Sequence, residues 1–101
     1  MYIVCMDETI QFEWDEGNVD HIARHSVTTE EAQQVICNEA FDLNYEAVDG
    51  EDRWTSIGHT NEIRVLKLVW TLRGEMIRII TAVDATKRES LAYLKARGNL
   101  I

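Results

Sequence analysis

IRVLKLVWTLRGEMIRIITAV, residues 63–83, decides the fold class. Residues 63–71 are apolar on both faces apart from Arg64 and Lys67, the pattern of a central strand covered on both sides. Residues 76–82 read as a second strand, with residues 72–75 as the turn between them. With that loop and the simplest register, Val69 faces Arg78, so Lys67 and Arg78 share one side of the sheet; a slip of a single residue reverses this. A charge in a covered sheet is costly unless it is paired or open to solvent on one side. Arg64, Lys67 and Arg78 are therefore read either as ion-paired, with Glu13, Glu46 or Asp52 as partners, or as cations held for an anionic ligand.

Working outward, residues 53–59 form a further strand, and FDLNYEA at 41–47 alternates apolar with polar up to the hairpin signal Asp49-Gly50. IQFEW at 10–14 alternates in the same way, and residues 2–5 extend it or form a short strand of their own. Asp15 caps a helix running to about His25, with Val19, Ile22 and Ala23 on one apolar face. Thr28 with Glu31 is a capping box that opens a second helix to about Asn38. Thr86 with Glu89 is another, starting a helix that Gly98 ends. The order β-α-α-β-β-β-β-α predicts an α+β fold: a small antiparallel sheet flanked by two N-terminal helices and one C-terminal helix.

The chain has 101 residues, no proline, no repeat and no linker, so residues 1–101 are expected to form a single domain. The apolar runs are too short for a bilayer, and the N-terminus lacks the basic start and cleavage site of a signal peptide. A cytoplasmic protein with no membrane contact is expected. Cys5 and Cys37 have no C-x-x-C partner and read as buried reduced thiols. The formal charge of −8 argues against wholesale coating of nucleic acid. Its distribution is uneven: residues 1–62 hold 15 acids against Arg24 and Arg53 alone, a net −13, whereas residues 63–101 are +5. One basic region on an acidic body suits a local RNA or acidic-partner site, the acidic half suits a basic partner, and solvated faces of uneven sign would give the same charge pattern.

His21 and His25 stand four apart. Extrapolating the helix puts His25 with Asn18 beside Ile22 and leaves His21 the more exposed. There is no H-E-x-x-H, and His59 lies on a remote hairpin, so neither a metal nor any other cofactor is expected. RNA cleavage needs a base for the ribose 2′-hydroxyl, an acid for the leaving oxygen and a cation for the charge growing on phosphate. Histidine suits the first two near neutral pH, and arginine grips phosphate through two nitrogens.

In order along the chain stand FEWDEGNVDHIARHSV at 12–27, Arg53-Trp54 with Ile57-Gly58-His59-Thr60, then Trp70-Thr71-Leu72-Arg73-Gly74. Ile77-Arg78-Ile79-Ile80-Thr81-Ala82 follows, and then Ala85-Thr86-Lys87-Arg88-Glu89 with Tyr93. This ordered set resembles the BrnT family of bacterial type II toxin–antitoxin pairs. The resemblance implies a RelE-like fold and a metal-independent endoribonuclease that inhibits translation. It also implies neutralisation by a BrnA-like antitoxin whose ribbon-helix-helix part binds DNA, so that the toxin meets DNA only through its antitoxin. A homodimer and a heterotetramer with the antitoxin both stay open.

The positions matching the family pattern are Trp14, Asp15, Asn18, His21, His25, Arg53, Gly58, Arg73, Arg78 and Glu89. By their chemistry, His25 is read as the proton-transfer or RNA-positioning group, with Arg53, Arg73 and Arg78 stabilising phosphate and transition state. His21, Lys67, Lys87 and Arg88 are read as RNA contacts. Trp14, Asp15, Gly58 and Glu89 are read as core, cap, close approach and capping box. Many relatives have arginine where this chain has Val83, and RelE-like ribonucleases tend to be basic. These departures motivate the alternative: a weak or inactive toxin fold that binds an antitoxin and modulates its operator binding.

Overall fold

The computed structural model describes residues 10–98. Strand β1 (Gln11–Phe12) leads into helices α1 (Glu16–Ala23) and α2 (Thr29–Cys37). Strands β2 (Phe41–Val48), β3 (Glu51–His59), β4 (Val65–Arg73) and β5 (Met76–Asp84) follow, then helix α3 (Lys87–Arg97). The strands lie in the order β1-β5-β4-β3-β2. Three of the four pairings are antiparallel, as expected, and β1 joins β5 in parallel, which makes the sheet mixed. The expected strand at residues 2–5 lies outside the described residues.

The helices begin where local chemistry says they should. Asp15, Thr28 and Thr86 each accept from the N3 backbone while the N3 side chain reaches back to the cap, closing three capping boxes. Asp49 and Gly50 both take positive φ, 50° and 79°, as a two-residue β2–β3 hairpin requires.

Adjacent residues of a strand point to opposite faces, and that divides the core. On one face Leu66, Leu68, Ile79 and Ala82 pack beneath Ile22 of α1 and Ala32 and Val35 of α2, all fully buried. On the other, Ile57 and Val65 pack against Tyr93 of α3. The middle strand β4 is covered on both sides, as its apolar pattern predicted. Gly58 is what lets α2 sit close: a Cβ there would lie 2.8 Å from Val35 Cγ1 and 3.0 Å from Ala40 Cβ.

The central register differs from the simplest expectation. The β4–β5 loop is only Gly74-Glu75, and Thr71 rather than Val69 opposes Arg78. The difference is two residues, so side chains keep their faces, and Lys67 and Arg78 do lie on the same side. Ile80 is the extra residue of a bulge, since Trp70 opposes Ile79 and Val69 opposes Thr81. Helix α1 also stops earlier than expected, at Ala23, and Ser26 has φ of 58°. His25 therefore does not lie on the helical wheel. Asn18 is buried, while His21 and His25 are both exposed, against the expectation that His25 would border the core. Among the described residues no cysteine is a free thiol, so Cys37 departs from the reduced-thiol reading; Cys5 lies outside them. No helix is long and apolar enough to cross a membrane, again among the described residues.

Candidate functional site: an arginine-lined cleft

Arg53 in β3, Arg73 in β4 and Arg78 in β5 converge on one cleft of about 280 Å³ between the sheet and the start of α1. His21 and Glu51 line it as well, with Gly17, Asn18 and Ile80 completing the wall. Asn18 fixes this corner. Buried at 3% exposure, its amide donates to the carbonyls of Glu13 and Ile79 (3.0 and 3.1 Å), and its Oδ1 accepts from the Asp15 backbone at 2.8 Å. Every polar group of that side chain is thus satisfied, and α1 is pinned to β5.

Each arginine carries a carboxylate. Arg78 Nη1 lies 3.0 Å from Glu13 Oε1 and 2.9 Å from Asp15 Oδ2, and its Nη2 lies 3.3 Å from Asp15 Oδ1, a two-pronged grip. The Arg78 guanidinium holds the Asp15 carboxyl below its ordinary pKa, and the same bonds raise that of Arg78. Glu51 bridges the other two, through Oε1 to Arg53 Nε at 3.0 Å and through Oε2 to Arg73 Nη2 at 3.4 Å. Arg73 also lies 4.0 Å from Glu13. Its side chain is 51% exposed against 17% for Arg78, so Arg78 anchors while Arg73 is the more adaptable cation.

His21 Nε2 is 3.0 Å from Thr81 Oγ1, and its ring sits 5.7 Å from that of His25 in an edge-on arrangement. His25 itself is not among the residues lining the cleft. Lys67 shares the cleft's sheet face but stands four residues along β4 from Thr71, roughly 13 Å away. It pairs with Glu89 at 2.8 Å, which with the Thr86 backbone lowers the Glu89 pKa to about 2. Lys87 and Arg88 are exposed in the first turn of α3, beside this second group. Arg64 belongs to neither group. It clamps Glu31 and Asp84 at 3.0 and 2.8 Å and the carbonyl of Ser26 at 2.8 Å, tying the α1–α2 connection to the end of β5.

Of the ion-pair partners expected from sequence, Glu13 does bridge to Arg78, whereas Glu46 and Asp52 make no such bridge. Glu51 and Thr81 were not anticipated. The Glu51-x-Arg53 spacing was a usable signal, because residues two apart on a strand share a face. Among the described residues no group of three or more His, Cys, Asp or Glu side chains could hold a metal ion, so the His21–His25 pair has no third ligand there.

These features define a small α+β protein with an arginine cleft suited to an anionic group. The family described as "Ribonuclease toxin, BrnT, of type II toxin-antitoxin system" matches residues 14–89, and the chain belongs to that family. No curated protein matches it.

Proposed function

We propose that the chain is a metal-independent endoribonuclease toxin with a RelE-like fold, formed by one domain and acting in the cytoplasm. It would cleave RNA, inhibit translation and be neutralised by a BrnA-like antitoxin. The observation carrying this reading is the convergence of Arg53, Arg73, Arg78 and His21 from three strands and a helix on a single cleft. An RNA phosphate seated among the arginines puts the ribose within reach of His21. In the proposed reaction a histidine takes the 2′-hydroxyl proton, the 2′-oxygen bonds to phosphorus, and the P–O5′ bond breaks. The leaving oxygen takes a proton, and a cyclic phosphate remains. The arginines offset the added charge on the phosphoryl oxygens.

His21 is the better placed of the two histidines for proton transfer, and His25, beside it, orients RNA or supplies the second proton. Lys67, Lys87 and Arg88 extend RNA contact along the same face. The test is cleavage of a defined RNA by the purified chain. His21→Ala is expected to slow it by about 100-fold or more at unchanged thermal stability, the usual scale for losing a general acid or base. Intact RNA at high concentrations of folded protein would sink the proposal.

A second reading is motivated by the carboxylates. Glu13, Asp15 and Glu51 offset the three cleft arginines, as expected of a fold retained to hold an antitoxin and tune its operator binding. Tight antitoxin binding with no cleavage, even after Glu51→Gln, would favour it.

A further inference from the structure

Strand β2 ends the sheet on the side away from β1, and seven of its eight residues are exposed. Among the described residues no strand pairs with its outer edge. Such an edge offers a row of unused backbone donors and acceptors, usually blunted by charge, bulges or brevity. This one carries a single irregularity, between Asp42 and Asn44, yet shows Phe41, Leu43 and Tyr45 at 38, 54 and 52% exposure. Beside it runs a mainly apolar groove of about 330 Å³ between β2 and α3, lined by Phe41, Leu43, Ile57, Ala92 and Tyr93, with Glu89 as the one charged residue of its wall. Arg97 lies over the Phe41 and Tyr93 rings, 5.3 and 5.9 Å from their centroids.

Charge selects the occupant. Residues 39–52 contain six acids and no lysine or arginine. A second copy pairing edge to edge would bring two such segments together, and RNA would be repelled. A basic chain would be attracted.

We propose that the outer edge of β2 receives an extended segment of the antitoxin as an added strand. Alternate apolar side chains of that segment would enter the groove under α3, and its lysines or arginines would meet Glu39, Glu46 and Asp49. The partner's identity rests on the toxin–antitoxin reading above; the surface and its chemistry do not.

The test uses a ten-residue alternating lysine–valine peptide, titrated into the full chain and followed by calorimetry and backbone amide NMR. Binding should weaken with salt, shift the amides of residues 41–48 and of Ala92 and Tyr93, and fall at least tenfold in Leu43→Lys. Glu46→Lys should weaken it too and supplies a second variant if Leu43→Lys misfolds. Leu43→Lys should leave RNA cleavage unchanged, so a failed ribonuclease reading and a failed docking surface are told apart. Equal binding of a glutamate–valine peptide, or shifts centred elsewhere, would overturn the proposal. So would a dimer of the chain that Leu43→Lys splits, or peptide binding that appears only after removal of residues 1–9.

Discussion

Glu51 sits where an incoming phosphate would have to sit, because its two oxygens already span Arg53 and Arg73. A half-exposed pair of this kind is worth on the order of 1 kcal/mol, so an incoming phosphate can displace it. Glu51→Gln is therefore expected to tighten inorganic phosphate binding by about twofold to fivefold, read by titration. Arg78 behaves differently, being largely enclosed and gripped by Glu13 and Asp15. Its loss strands two carboxylates beside the start of α1. Arg78→Ala should cost about 1–3 kcal/mol in chemical denaturation, whereas Arg73→Ala should stay within about 0.5 kcal/mol. If both variants unfold alike, the division into anchor and adaptable cation is wrong.

Two elements meet at Gly58, and there the backbone has no room for a methyl group. Gly58→Ala pushes Val35 and Ala40 of the α2 side off the sheet and is expected to destabilise by about 1–3 kcal/mol, the usual scale of overpacking. The loop from β3 to β4 shows the opposite situation. Ile63 is 42% exposed with φ of 63°, a conformation hard for a β-branched residue. The turn holds it there through the Ile63 amide to the Thr60 carbonyl at 2.9 Å, with the Thr60 hydroxyl accepting from the Arg64 amide at 3.1 Å. Ile63→Asn should relieve about 1 kcal/mol and raise the melting temperature. An unchanged or lower value would show that the side chain contributes more than its backbone costs.

For the whole molecule, acid stability follows from where the titratable groups sit. Burial, aided by Arg97, lowers the His59 pKa below 6.5, while its Nδ1 lies 2.6 Å from the buried Tyr93 hydroxyl. The unfolded chain then takes up this proton first as pH falls, so stability should decline below about pH 6.5 until the folded-state value is passed. Replacing His59 by Gln should flatten that segment of a plot of melting temperature against pH. Asp15, Asp84 and Glu89 titrate below their ordinary values because Arg78, Arg64 and Lys67 hold them ionised. Their contribution is complete above the unfolded carboxylate range and disappears on further acidification, for Glu89 as pH approaches about 2. A second fall in stability below about pH 4.5 is the expected outcome.

Much of this architecture was legible locally. Capping boxes, the Asp49-Gly50 hairpin, the alternation of β2 and the two-sided apolar run of β4 each act over a few residues, so local chemistry alone settled the element order and the α+β class. Arg53, Arg73 and Arg78 came together as a set only through the ordered family motifs, with the chemistry of arginine supplying their phosphate role. The edge position of β1, the bulge at Ile80 and the early stop of α1 depend on contacts between distant segments, which no short window of residues encodes. Those contacts turned His21 rather than His25 into the arginine cleft, and put Glu51 across two of its cations. Sequence determined which groups were available; only packing decided which of them meet, because a single residue of slip or an early helix end re-aims every side chain beyond it.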